Sequence, residues 1–438
     1  MFAPITSEVE EPAVHLKVSE TPSLRSSGRR KALSALASLT ETVGSPPDAD
    51  APRISREQIA AFRLSRHHLA PRAASTDLAT VAGDMAGAQA QVLSAAQMSL
   101  WARTRDLRAA DVDAALSEYR TLVKSWCIRG ALHIIPSRDF AVFLRGGARR
   151  EARSTAWLIR AGIPVDAVDR LVGATRDILD RPLTRAEIAE RVSASLGIKT
   201  VAKSGRGWGG PSNATGFRIA RTTLSVDGIV FLTCLRGFAC FGPPRGTETT
   251  FVRPEDWIPE WHDMPVEVAE LELLRRYLRA HGPATVRDFA LWTYMTAADA
   301  RDVWSRLEAE LSPVDVRGRA GWVLRDDLLE LERAKVDGPV VRLLPSFDSL
   351  LLGLKDKSHL VDATHYRRVY RPQGWLSPVV LVDGRIEGVW SHERKGRRLA
   401  VRVQPFHTML AKIRAQVRVE ADDLARFLDI PDASVRFS

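Results

Sequence analysis

Two stretches, LVKSWCIRGALHIIP at 122–136 and IVFLTCLRGFACFGP at 229–243, align without a gap and constrain the fold more than any other feature of the chain. Cys127 lies over Cys234, Arg129 over Arg236, Gly130 over Gly237 and Pro136 over Pro243, each pair 107 positions apart. In both, short apolar and β-branched runs flank an Arg-Gly pair and stop at proline, which reads as a β-hairpin closed by a tight turn. Helical patterns precede each hairpin. Helices followed by a two-stranded hairpin is the order of a winged helix, and its recurrence predicts tandem units.

The helices carry their own start signals. Ser55 and Gln58 stand in capping-box spacing ahead of Ile59, Phe62, Leu64 and Leu69, and TDLATVAGDM and QVLSAAQMSLWART continue the helical period. Before the second hairpin, Thr184 and Glu187 form another capping box, and ATGFRIARTTLSVDG reads as a basic amphipathic helix. A third unit has three helices, LELLRRYLRAHGP, ATVRDFALWTYM and DARDVWSRLEAEL, with breaks at Gly282-Pro283 and Thr296. VDVRGRAGWVL completes it as a hairpin turning at Arg317-Gly318. Beyond residue 338 the texture changes to strands: PVVRLLPSFDSLLLG, SPVVLVDGRIEGVW with an Asp383-Gly384 turn, and RRLAVRVQPF, followed by a helix from Glu420 to Leu428. The expected fold is α+β: an extension at 1–50, winged helices at 51–150, 151–262 and 263–337, and a separate, mostly β module at 338–438.

Length agrees, since 438 residues at 45% hydrophobic make about three units with sizeable cores. The net charge of +10 rests mostly on arginine, which suits bidentate contacts to phosphate and base edges, so the expected partner is a polyanion. Three cysteines without CxxC or Cys/His ligand spacing indicate neither a disulfide framework nor a zinc site, and fit a reducing cytoplasm. No apolar stretch approaches the ~18 residues that cross a bilayer, and no signal core opens the chain. The first fifty residues are rich in Ser, Pro and charge, which predicts a disordered extension.

A tandem winged-helix protein sets basic wings on phosphates, which makes double-stranded DNA the expected partner and nominates Lys124, Arg129, Arg236, Arg317 and Arg319. The loop SGRGWGGPSN adds Lys203, Arg206 and Trp208; it lacks the GK[ST] or GxGxxG context of a nucleotide site. Trp126, Trp292, Trp304 and Trp322 are expected in cores. No cofactor or metal is implied, and three DNA-facing units make a monomer sufficient.

Four separated motifs, GAQAQ before a helix, TLVKSWCIRGALHIIP, LLPSFDSLLLG and VLVDGRIEGVW, resemble those of the AlkZ/YcaQ winged-helix DNA glycosylases, over about residues 53 to 431. The resemblance implies three winged helices in a C-shaped arrangement around DNA. It also implies a monofunctional N-glycosylase that excises bulky N7-alkylated purines and unhooks interstrand crosslinks, in DNA repair or in self-resistance to a DNA-alkylating natural product. The family's Gln-aliphatic-Gln motif falls on Gln89-Ala90-Gln91, with an alanine smaller than usual in the middle, and its histidine-bearing wing strand falls on His133, expected to face DNA.

Glycosidases usually employ two carboxylates, and glutamine transfers no proton. An N7-alkylguanine is already cationic, so its departure needs no general acid. An amide oxygen suffices to hold the attacking water and face the developing sugar cation. Gln89 and Gln91 are the expected catalytic pair, Gln91 placing the water and Gln89 orienting it or the nucleotide, with the two roles exchangeable. Asp84 and Asp106 are alternative water-orienting groups. Two other readings are a sequence-specific transcriptional regulator and a family member that binds damaged DNA without cutting it.

Overall fold

The computed structural model describes residues 50–149, 164–202, 215–219 and 222–438. Lys203, Arg206, Trp208 and the predicted extension before Asp50 lie outside them.

The first unit begins as expected. Helix α1 (Arg56–Arg66) starts on a complete capping box, Ser55 Oγ accepting from the Gln58 N–H and the Gln58 side chain accepting from the Ser55 N–H. Helix α2 (Leu78–Asp84) leads to the two-residue strand β1 (Ala88–Gln89), and α3 (Leu93–Trp101) follows. Helix α4 (Ala109–Ser117) is an addition to the sequence reading. Strands β2 (Leu122–Trp126) and β3 (Leu132–Pro136) form the expected hairpin, turning through Arg129 and Gly130 at φ 59° and 64°. β1 joins it in the order β1-β3-β2, and α5 (Phe140–Arg145) closes the unit.

The second unit corrects the alignment that suggested it. After α6 (Val165–Ile178), β4 (Leu183–Thr184) and the capped α7 (Arg185–Leu196), the described residues of the expected basic helix at 214–228 are extended as far as Ser225: β6 (Thr215–Ile219) and β7 (Thr222–Ser225) pair beside β5 (Thr200–Ala202). Phe217 and Leu224 stand opposite each other across the ladder and are both buried. The expected second hairpin strand is instead helix α8 (Val226–Leu235), capped by the Ser225 hydroxyl and buried at nearly every position. A short apolar run with no polar stripe does not tell strand from helix; its ten residues and serine cap suit the helix. Arg236-Gly237 is therefore a helix stop, with the Phe238 N–H bonded to Thr233 O and the Gly237 N–H to Cys234 O, a Schellman closure. The unit's hairpin lies further on, β8 (Cys240–Phe241) against β9 (Thr250–Val252), with β4 on its edge.

In the third unit α9 (Val266–His281), α10 (Val286–Thr293) and α11 (Ala297–Leu307) break where expected, with Thr285 and Thr296 as N-caps. Strands β10 (Leu311–Asp315) and β11 (Ala320–Leu324) turn at Arg317-Gly318, and α12 (Leu328–Arg333) follows.

The C-terminal sheet runs β12 (Val341–Leu344), β13 (Val379–Val382), β14 (Arg385–Lys395), β15 (Arg398–Pro405) and β16 (Asp432–Phe437), antiparallel except for the last, parallel pair. PVVRLLPSFDSLLLG is a strand only over its first third; Asp348 then caps a helical turn. Helix α13 (Ala411–Phe427) starts nine residues before the predicted Glu420, which lies buried within it. The module is not separate: its apolar interior is continuous with those of the first two units. Arg72 of the first unit bonds Glu420 and Asp423 on α13 at 2.8 and 3.0 Å, and the Trp101 indole N–H donates to Asp423. Trp126, Trp292 and Trp304 are core residues, as expected.

Candidate active site

The GAQAQ segment is fixed at both ends by backbone geometry. Gly87 has φ 86°, and a Cβ there would stand 3.0 Å from Ile135 Cγ2, so conformation and space both call for glycine. Ala88 and Gln89 then pair with Ile134 and His133, and the Ala90 N–H extends the ladder to Leu132 O at 2.7 Å. Ala90 is enclosed in the core, so the small middle residue of the motif keeps the register. Gln89 is half-buried and Gln91 is 8% exposed.

Arg129 organises the site. Its left-handed backbone at the hairpin tip turns the side chain inwards, where Nη2 donates to Gln89 Oε1 at 2.9 Å and Nη1 donates to Trp292 O, at the end of α10, also at 2.9 Å. A guanidinium has no acceptor, so the contact fixes which end of the Gln89 amide is oxygen and leaves its NH2 for other partners. The Arg129 charge also meets the negative end of the α10 dipole. His133, opposite Gln89 on β3, is 2% exposed. Burial foremost, then the Arg129 charge, pushes its pKa down to about 3, and its Nδ1 bonds Ala131 O at 3.0 Å. It is a neutral imidazole at any ordinary pH, with Nε2 as its acceptor.

Beneath the segment lies a fully enclosed ion pair. Arg103, two residues past the end of α3, donates to both Asp348 oxygens at 2.7 and 2.8 Å, Ser99 Oγ adds a third bond at 2.9 Å, and Arg103 Nη2 also meets His67 Nδ1 at 3.2 Å. Arg103, Asp348 and His67 have no exposed surface. His67 Nε2 donates in turn to Ala280 O, and Ser349 Oγ donates to Met85 O, two residues before Gly87. The PSFDSLLLG segment thus braces GAQAQ from behind.

The other nominated residues divide by place. Arg317 and Arg319 are exposed at the tip of the third hairpin. Lys124 is not at a tip: it sits mid-strand in β2, half-buried, with Nζ 4.6 Å from the centre of the Phe241 ring. Arg236 is on no wing either, but at the end of α8, bonded to Asp169 at 2.7 Å. His133 is buried behind Gln89, which corrects its DNA-facing assignment. Asp84 is exposed on α2 and bonded to His68 at 2.7 Å, and among the described residues no carboxylate is hydrogen-bonded to Gln89 or Gln91. Sequence reasoning missed Asp348 and the Trp292 carbonyl. Asp348 stood inside a quoted motif, but its partner lies 245 positions away; a backbone carbonyl leaves no mark in a sequence.

The site can hold water and orient a neutral or anionic group, and its histidine supplies no proton near neutrality. Among the described residues no group of His, Cys, Asp or Glu is placed to hold a metal ion, and no helix is long and apolar enough to cross a membrane.

A family model described as DNA glycosylase AlkZ-like matches residues 82–427. An interstrand DNA cross-link repair glycosylase of Streptomyces sahachiroi is 31% identical over 347 residues, spanning 77% of this chain and 88% of that one. The solved structure of the Streptomyces sahachiroi DNA glycosylase AlkZ superposes with a TM-score of 0.71 at 28% identity, covering 88% of this chain and all of the other.

Proposed function

The chain belongs to the AlkZ-like DNA glycosylase family and is a DNA N-glycosylase, and from that premise we propose that it acts on cationic N7-alkylated purines in duplex DNA, interstrand crosslinks included. The observation that carries this is the occupied carbonyl of Gln89. With Arg129 on Gln89 Oε1, the free carbonyl of the pair is that of Gln91, so Gln91 places the water and the Gln89 NH2 orients the nucleotide. Water attacks C1′ as the glycosidic bond breaks, and the proton that the water sheds passes to bulk solvent. The bonding electrons pass to the purine and cancel its charge, and the sugar is left abasic. Since His133 is held neutral to about pH 3 and, among the described residues, no carboxylate is bonded to either amide, a neutral purine finds neither of these acids to protonate it. The relative's crosslink activity supports the extension to tethered bases, which cannot rotate into a closed pocket and need an open site.

We further infer that residues 51–150, 151–262 and 263–337 act as three winged helices curved around the duplex, with 338–438 bracing them. The three helix-plus-hairpin groupings and the likeness to a solved glycosylase support this.

The test is single-turnover hydrolysis of duplexes carrying N7-methylguanine, a nitrogen-mustard crosslink, or unmodified guanine, with abasic sites revealed by hot alkali. The cationic bases are released and guanine is not. Gln91→Ala loses about 10²–10³-fold, on the scale of one oriented polar group in a hydrolytic site, and Gln89→Ala loses less. Equal release of guanine sinks the reading.

A further inference from the structure

Just past Gln91 the chain turns into helix α3, and that helix starts bare. Its N-cap is Val92, which has no side-chain acceptor, and its first turn holds no acidic residue. The first backbone bond there runs from the Ala96 N–H to Val92 O, so the N–H groups of Leu93, Ser94 and Ala95 come before it and have no intrahelical acceptor. This end is open to solvent, with Leu93 40% exposed and Ser94 exposed as well. Aligned donors at the positive end of a helix dipole suit an anion.

Gln91 itself is the second observation. It is only 8% exposed, yet its amide makes no hydrogen bond among the described residues. The alternation that encloses Ala88 and Ala90 turns Gln89 and Gln91 to the opposite side, and Gln91 immediately precedes the cap, so its amide is set at the mouth of the bare helix end. A nearly buried amide with neither end satisfied calls for a ligand. Arg129 fixes which end of the Gln89 amide is oxygen, whereas no described residue does so for Gln91. Electrostatics points the same way. A helix N-terminus near C1′ opposes the positive charge that gathers on the sugar as the base leaves, unless an anion lies between them.

We propose that the N-terminus of α3 binds a phosphodiester of the lesion nucleotide, which accepts from the Leu93 and Ser94 N–H groups, the Ser94 hydroxyl and the Gln91 NH2. The phosphate is one of the lesion's own because a nucleotide's phosphates lie one sugar ring from its C1′, and Ser94 is three residues from Gln91. The contact does two things. It holds the Gln91 amide with its carbonyl turned to the water, as Arg129 holds that of Gln89, and it sets a negative charge against the sugar cation. The proposal rests on the assignment of Gln91 as the residue that places the water.

The experiment uses the full chain and duplexes carrying N7-methylguanine, with each of the two flanking phosphates replaced in turn by a neutral methylphosphonate, and measures binding, single-turnover release and thermal melting. Ser94→Asp gives the bare end a carboxylate of its own. It melts no lower than the parent, since an acidic side chain suits the first turn, yet it releases the base about tenfold more slowly because it repels the phosphate. One of the two phosphonates slows the parent to a similar degree, and on that duplex Ser94→Asp costs nothing further. A Ser94→Asp variant as fast as the parent overturns the proposal, and so do two penalties that simply add. A parent indifferent to both phosphonates but melting higher in inorganic phosphate would hold a free anion there, which also overturns it. Were binding to show the shared penalty while no base is released, the phosphate site would stand and the hydrolytic assignment of Gln91 would fall.

Discussion

Arg129 is an arginine in a conformation that suits glycine, and its two bonds explain why the chain keeps it. Arg129→Gly relaxes the turn but frees Gln89 from its charge-assisted bond. With such bonds worth roughly 1.5–3 kcal/mol, we expect single-turnover release to fall about ten- to a hundredfold while the variant stays folded. Arg129→Lys does not restore it, because an ammonium cannot hold the fork geometry that reaches Gln89 Oε1 and Trp292 O together. The same residue scale governs pH. His133 stays neutral above about pH 3 and neither amide titrates, so release of a cationic purine is expected to be flat from about pH 5 to 9, where a carboxylate or histidine acid would give a sloping limb. A limb with a midpoint near 6.5 removes the acid-free mechanism.

Strand β1 is only two residues long and has little holding power of its own, so its position depends on what packs behind it. The Arg103–Asp348 pair is fully enclosed, and removing one partner leaves a buried charge alone. Asp348→Ala should therefore cost about 3–5 kcal/mol, read as a lower melting temperature, and should lower release even in samples still folded at the assay temperature. Elements whose ends carry chemical signals were legible in the sequence: α1 from Ser55 and Gln58, α7 from Thr184 and Glu187, the third unit's breaks from Gly282-Pro283 and Thr296. Those whose identity depends on surroundings were not. Val226–Leu235 is apolar throughout, and whether such a run coils or extends is decided by what encloses it. The Arg-Gly pairs at 129 and 236 misled because one dipeptide serves two purposes, a hairpin turn and a helix stop. Of the site, the two glutamines stood out by resemblance, whereas Arg129 was legible only as a charge on a wing: its inward turn is a tertiary fact.

Across the whole molecule the charge of +10 acts through its exposed members. DNA affinity should fall log-linearly with salt. Arg317→Ala and Arg319→Ala should each shallow that slope by about one unit, and Arg236→Ala, bonded to Asp169 away from any wing, should leave it nearly unchanged. Acid acts through the interior. His67, His133 and His281 are buried with pKa values below 6.5, chiefly through burial. Unfolding lets them bind protons, so stability is complete above about pH 6.5 and is lost as the pH falls towards the folded values. For His133 this amounts to about 2–3 kcal/mol by pH 4.5, measurable as a falling melting temperature. A melting temperature constant from pH 7 to 4.5 would contradict it.

The clasp between Arg129 and the carbonyl of Trp292 joins points 163 positions apart. While the ribosome is still making the protein, both glutamines emerge well before residue 292, and without that anchor the amide pair is left unaimed. The pair is thus aimed only after two-thirds of the chain has been made, so a fragment cut short before residue 292 carries the motif of a base-removing enzyme but is expected to be harmless to the genome it meets.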